Sequence, residues 1–273
     1  MDTQVRDDYL SLDDLRLHYR EWGDATAPPL VLLHGFTGHA RSWDSFAKAM
    51  SRRYRVLVLD QRGHGESGWT TDYSNAAMVA DLRAFVTALG LRRFDLLGLS
   101  MGGSVAYNYA GSRPAELARL VIVDIGPELV ASGSQRIQAG VQASDTFDSI
   151  EAAVASSRAA NPRADEDEMR NRVRHNLMRT ADGRWTFRYD KALRAPGRPR
   201  PRPSSDENWQ AWRQITVPTL LLRGGVSDIL SRETAERMAK EIPDCRLVEV
   251  PGSGHSIPLE APARFLEAVQ TFL

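Results

Sequence analysis

The stretch Phe94-Asp95-Leu96-Leu97-Gly98-Leu99-Ser100-Met101-Gly102-Gly103 decides how the rest of the chain is read. Residues 94–97 form a short apolar run, and a helix pattern follows over 101–110, stopped by Gly111 and Pro114. Ser100 therefore stands at a strand-to-helix turn inside a Gly-x-Ser-x-Gly frame. The spacing has a physical reason. A serine held on so sharp a turn has strained backbone angles, and small neighbours two positions away let the chain pass. The turn projects Oγ from the sheet edge, and the helix N-terminus behind it favours developing negative charge. The bland alternative is a turn of small residues without chemistry. The strand-and-helix setting weighs against it.

Outward from that turn the same rhythm continues. Residues 30–33, 56–59 and 120–123 are short apolar runs without clear alternation, as expected of strands buried on both faces of a parallel sheet. Met78, Val79, Leu82, Phe85, Val86 and Leu89 fall at helical spacing, with Gly90 placed to end the helix. Ahead of this block, residues 9–12 and 15–20 alternate like a β-hairpin turning at Asp13-Asp14. The rhythm breaks at Gly126-Pro127, where helix patterns at 144–158, 165–178 and near Trp209 replace any convincing strand. It resumes with a strand at 220–223, a helix at 233–240, a strand at 246–250 and a last helix from Ala261. The expected fold is α/β, a mostly parallel doubly wound sheet of about eight strands. Residues 1–125 and 216–273 form its core, and 126–215 an inserted helical cap over the sheet's C-terminal edge.

Bulk composition narrows the function. The chain has 273 residues, 42% hydrophobic and 26% charged, ordinary values for a globular protein with a sizeable core. Lys+Arg and Asp+Glu both total 35, so there is no excess positive charge to suggest a nucleic-acid partner. The Arg-Pro run over 194–202 reads as a solvated linker. A single cysteine, Cys245, excludes an intrachain disulfide, fits a reducing compartment and reads as a packed residue. The first residues are too polar for a secretory signal, and no apolar run approaches the roughly 20 residues that span a bilayer. The expectation is a cytoplasmic protein with no membrane partner.

Gly98-Leu99-Ser100-Met101-Gly102-Gly103 resembles the nucleophile elbow of the α/β-hydrolase superfamily. His34-Gly35-Phe36 is similar to the oxyanion loop of that fold. Asp60-Gln61-Arg62-Gly63-His64-Gly65-Glu66-Ser67 resembles the segment after its next strand. With Gly254-His255, these motifs cover the chain from about residue 29 to its end, apart from the insertion.

The resemblance implies Ser100 as nucleophile and His255 as its base. His255 lies in Pro251-Gly252-Ser253-Gly254-His255, a Gly-rich loop just past a strand. His175 falls in the insertion, and His18, His34, His39 and His64 precede the elbow. An imidazole suits the role because it takes the serine proton and later returns it to the leaving group. The family's order of serine, acid and histidine makes Asp228, five residues past 220–223, the first expectation for the supporting acid. Asp124, ending the run 120–123, is the alternative, with a buried strand-end carboxylate as its bland reading. The same layout assigns the oxyanion donors to the backbone N–H groups of Phe36 and Met101. Phe36, Trp185 and Ile229 are expected in the substrate pocket, against plain aromatic or core packing. Trp209 and Trp212, at helical spacing, read as core.

Gly63-His64-Gly65-Glu66-Ser67-Gly68 mimics a dinucleotide fingerprint, but loop follows where a helix should open, and Asp81 falls inside a helix pattern. No cofactor or metal is expected. The implied reaction is acyl transfer to water on a small ester or lactone. A carboxylesterase leads. A lactonase, a C–C bond (diketone) hydrolase and a perhydrolase or cofactor-free haloperoxidase share the same machinery. Relatives with an aspartate nucleophile are excluded by Ser100. A rival of another class is a slow-turnover, ligand-binding receptor of the same fold.

Overall fold

The computed structural model describes residues 5–12, 15–142, 145–195 and 202–273. The expected turn at Asp13-Asp14 and most of the Arg-Pro run lie outside the described residues. Eight strands form one sheet: β1 (Val5–Leu12), β2 (Leu15–Trp22), β3 (Pro29–Leu33), β4 (Arg55–Leu59), β5 (Phe94–Leu99), β6 (Leu117–Val123), β10 (Thr219–Gly224) and β11 (Cys245–Val250). Their order is β1-β2-β4-β3-β5-β6-β10-β11. The β1–β2 and β2–β4 pairs are antiparallel, and the other pairs are parallel.

The strands alternate between two cores rather than between core and solvent. Val31, Leu33, Leu57 and Leu96 pack on one face, while Leu30, Leu32, Val56, Val58 and Leu97 pack on the other. This is why the sequence shows apolar runs there and no polar alternation. Helices α1 (Asp44–Met50), α2 (Asn75–Ala88), α3 (Met101–Gly111), α8 (Arg232–Glu241), α9 (Ile257–Glu260) and α10 (Pro262–Phe272) complete the α/β frame. From β3 the chain moves outward to β4, then crosses back over β3 to β5. The loops after β3 and β5 therefore part at their C-terminal ends, the crevice in which open parallel sheets place their ligands.

Between β6 and β10 lie α4 (Ala131–Gln142), α5 (Ile150–Ala160), α6 (Glu166–His175) and α7 (Ser205–Arg213). The insertion also holds β7 (Thr146–Phe147), β8 (Leu177–Arg179) and β9 (Trp185–Phe187), joined as an antiparallel sheet in the order β7-β9-β8. The insertion is mostly helical, as expected, but three short strands that the sequence did not reveal join its helices. Strands of two or three residues are too short for an alternating pattern to register. The insertion has a small core of its own, with Ala153, Val154, Met169, Val173 and Leu177 packed together and closed by Leu259 from the frame. Helix α7 differs, since Trp209 and Trp212 are buried in the main core. No helix among the described residues is long and apolar enough to cross a membrane.

Candidate active site

Ser100 is the hinge between β5 and α3, with φ of 53° and ψ of −115°. A side chain in that region is strained, and the strain is held by close packing around it. A Cβ on Gly98 would come within 2.3 Å of the Gly102 carbonyl, and one on Gly102 within 2.6 Å of the Leu33 carbonyl. Both positions demand glycine. Ser100 N–H donates to the Val123 carbonyl at 3.0 Å, tying the turn to the end of β6.

His255 meets Ser100 with Nε2 2.9 Å from Oγ. Its Nδ1 lies 2.8 Å from Oδ2 of Asp124. A carboxylate can only accept, so Nδ1 carries the proton and Nε2 is left to accept from the serine hydroxyl. Asp124 is fully buried just past β6, with φ of 49°. Its Oδ1 accepts from Gly224 N–H at 2.8 Å, and its Oδ2 also accepts from the Ser227 hydroxyl. Ser227 in turn accepts from the N–H groups of Ile229 and Leu230, so the loop after β10 braces a carboxylate from β6.

The expectation that Asp228 supports the imidazole is corrected by this geometry. The Asp228 side chain is 40% exposed and is held by Arg136 of α4 through two hydrogen bonds, at 2.6 and 2.9 Å. Arg136, more than burial or any other charge, holds the Asp228 carboxyl below its ordinary value. The loop after β10 therefore contributes Ser227 to the buried chain and turns Asp228 outward to the insertion.

Glu260, which sequence reasoning missed, fixes the histidine loop. Its carboxylate accepts from Gly254 N–H at 2.6 Å and from Ser256 N–H at 3.2 Å, the two amides flanking His255. The same carboxylate accepts from Asn161 Nδ2 at the end of α5, at 3.0 Å. No pattern in the sequence marks it, because its partners are backbone amides brought round by the turn into α9.

The loop after β3 is set by His34. Burial, reinforced by nearby His64, pushes the His34 imidazole down to about 3, so it is neutral at ordinary pH. Its Nδ1 donates to the Gly35 carbonyl at 2.8 Å, and its Nε2 accepts from Gln61 N–H at 3.0 Å. Gln61 Nε2 returns a bond to the His34 carbonyl at 2.6 Å. A Cβ on Gly35 would lie 3.3 Å from Ser100 Cβ, so the Phe36 amide stands next to the serine. Met101 opens α3, and its N–H belongs to the first helical turn, which has no intrahelical acceptor.

The expected pocket residues separate. Phe36 is partly buried against the rings of His64 and Tyr189. Trp185 packs within the insertion, with the Arg179 guanidinium 4.4 Å from its ring, and Ile229 is buried in the main core. A small cleft, partly open to solvent, is lined instead by Gly35, Trp43, Leu99, Glu168, Arg172 and Ser256, among others. Cys245 has its thiol pushed up to about 12 by burial, as for a packed residue.

Comparison with known proteins agrees with this architecture. The profile of the alpha/beta hydrolase family matches residues 30–268. The chain is 32% identical to the 3-hydroxybutyrate-oligomer hydrolase of Cupriavidus necator over 271 residues, covering 94% of this chain and 92% of that protein. It is 32% identical over 267 residues to the mouse (Mus musculus) sn-1-specific diacylglycerol lipase ABHD11, covering 92% of this chain and 82% of the lipase. Among solved structures, an alpha/beta hydrolase from Novosphingobium aromaticivorans superposes with a TM-score of 0.84 at 30% identity, covering 98% of this chain and 97% of that one.

Proposed function

This chain belongs to the alpha/beta hydrolase family and is an enzyme of the serine-hydrolase type, and from that premise we propose that it cleaves carboxylic esters through an acyl-enzyme on Ser100. The observation that carries the reading is the unbroken run of hydrogen bonds from Ser100 through His255 to buried Asp124. Ser100 Oγ attacks the ester carbonyl as its proton passes to His255 Nε2. The Asp124 carboxylate holds Nδ1–H, keeps the ring in the productive tautomer and stabilises the imidazolium. Backbone N–H groups of Phe36 and Met101 receive the oxyanion where its charge develops. His255 then protonates the departing alcohol, and a water activated by the same imidazole releases the acid. Residues 126–215 act as the lid that selects the substrate. The names of two relatives, an oligomer hydrolase and a diacylglycerol lipase, agree with an ester substrate.

The test is covalent. A fluorophosphonate should label Ser100 stoichiometrically, and Ser100→Ala should abolish turnover of p-nitrophenyl butyrate. An adduct elsewhere, or turnover that survives the substitution, overturns the assignment.

A further inference from the structure

Buried or half-buried arginines of the frame are paired with carboxylates. Arg20 meets Asp7 and Asp44, Arg62 meets Asp81, Arg119 meets Asp95, and Arg223 meets Glu249. Arg172 on α6 is different. It is partly buried in the cleft, and its guanidinium has no hydrogen bond or ion pair among the described residues. Burial, with no compensating anion, pushes that guanidinium below its ordinary value. A desolvated cation without a counter-ion is costly unless something else supplies one.

Its position says what supplies it. Three contacts pin α6 to the loop after β3. His39 Nε2 donates to the Arg172 carbonyl at 2.9 Å, Asn171 Nδ2 to the Arg41 carbonyl at 3.3 Å, and Asn176 Nδ2 to the Thr37 carbonyl at 2.9 Å. The cleft that Arg172 enters is bounded by Gly35, beside the Phe36 amide, by Leu99, before Ser100, and by Ser256, after His255. Burial brings the His39 imidazole down to about 4, as it brings His34 to about 3, so both are neutral and Arg172 is the cation that lines the cleft. The acid in the cleft is Glu168, one turn earlier on α6. Its carboxyl is pushed up by burial, with Ser45 opposing, and it forms no ion pair with Arg172.

We propose that Arg172 is the docking point for a carboxylate on the substrate, so that the preferred esters are anionic, bearing a free carboxylate on one side of the scissile bond. The guanidinium presents a planar fork of donors to which a carboxylate can bind bidentately. This inference rests on the esterase reading of the Ser100 site, and the experiment separates the two. The probes are p-nitrophenyl butyrate and the mono-p-nitrophenyl ester of glutaric acid, assayed with wild type, Arg172→Met and Arg172→Lys. Wild type should favour the glutarate ester in kcat/KM. Arg172→Met should lose at least tenfold on the glutarate ester, mostly in KM, and stay within about twofold on the neutral one. Arg172→Lys, which keeps the charge and removes the fork, should fall between. Free glutarate should inhibit wild type competitively and Arg172→Met at least tenfold more weakly. Equal losses on both esters, or no loss on the glutarate ester, overturn the anion site and leave the esterase reading standing. Failure of the neutral ester to turn over in wild type would count against the esterase reading itself.

Discussion

Two aspartates leave the same edge of the sheet, one after β6 and one after β10, and their surroundings could hardly differ more. Asp124 is fully buried and accepts from a backbone amide, a hydroxyl and the imidazole of His255. Asp228 lies at the rim, 40% exposed, and is paired with an exposed arginine from the insertion. The difference teaches that a supporting acid is defined by its donors more than by its distance along the chain from a strand end. A carboxylate held by fixed donors in a buried site needs no reorganisation when an imidazolium forms beside it. A carboxylate already satisfied by Arg136 in partial solvent offers little to that event.

The sharpest way to break the comparison is to neutralise each acid in turn. Asp124→Asn keeps the shape and suits the positive φ, which asparagine tolerates. With its oxygen kept on Gly224 N–H, its amide –NH₂ faces His255 Nδ1 and demands an acceptor there. The imidazole proton moves to Nε2, and the ring can no longer receive the proton of Ser100. We expect kcat to fall by roughly 10³–10⁴, with KM little changed, in steady-state assays of a p-nitrophenyl ester. If Asp228→Asn shows that loss and Asp124→Asn does not, the assignment of the two acids is reversed.

A second measurement sharpens the contrast between buried floor and exposed rim through acid stability. His34 and His39 in the folded protein lie at about 3 and about 4, against 6.5 ordinarily. Their folded-state values are depressed, so below pH 6.5 the unfolded chain binds protons that the folded chain refuses. The stability they contribute is therefore present above about pH 6.5 and lost as the pH falls toward 4. His18, raised mainly by its bonds and charge interactions with Asp60 and Asp7 against an opposing burial effect, works the other way in that window and offsets part of the loss. Asp60, held at about 2 by its hydrogen bond from His18 and nearby histidines despite burial, adds its own loss only below about pH 3.8. Urea unfolding should show stability falling by on the order of 2–4 kcal/mol between pH 6.5 and 5. His39→Gln should flatten that slope, and a midpoint independent of pH would contradict the buried, neutral state of both rings.

Much of this site was legible before any coordinates. The elbow around Ser100 announces itself because steric demands on a tight turn restrict residue type at fixed spacing. The Gly-rich loop of His255 reads from its place after a strand, and the two-faced burial of the sheet reads from its apolar runs. Which aspartate meets His255 was not legible. It depends on which of two loops folds over the other, and that is decided by Ser227 reaching back to Asp124, a contact across 103 positions. Glu260 was equally hidden, since its partners are distant in sequence, and so was the place of Arg172 in the cleft, which depends on how α6 packs on the loop after β3. The insertion gave helices by periodicity, yet its three short strands and α4 left no usable pattern.

Glu260 lies between the two regions, bonded to the histidine loop on one side and to Asn161 of the insertion on the other. Glu260→Gln retains the size but replaces one acceptor by a donor, so one of the two amides flanking His255 loses its partner. With His255 less well placed, kcat should fall about tenfold, some 1.4 kcal/mol in the barrier, with KM nearly constant and Ser100 labelled more slowly by fluorophosphonate. Glu260→Asp, which keeps both acceptors on a shorter stem, should recover part of the loss. An effect confined to thermal stability would show that the clamp is structural only.

The smallest effect belongs to the rim. The Arg136–Asp228 pair is bidentate, but its side chains are 54% and 40% exposed, so solvent screening leaves it worth about 0–1 kcal/mol. What it joins matters more than what it contributes, because α4 belongs to the insertion and Asp228 to the loop that braces Asp124. Asp228→Asn should therefore leave kcat within about threefold of wild type and shift KM modestly, as an insertion held less firmly changes how substrate enters. Raising the salt from 0.05 to 0.5 M should move wild-type KM in the same direction and leave the variant almost unaffected, since the Debye length shortens from roughly 14 Å to 4 Å. A loss of kcat in Asp228→Asn that high salt does not reproduce would mean that Asp228 has a share in the chemistry, and would close the gap between the two aspartates.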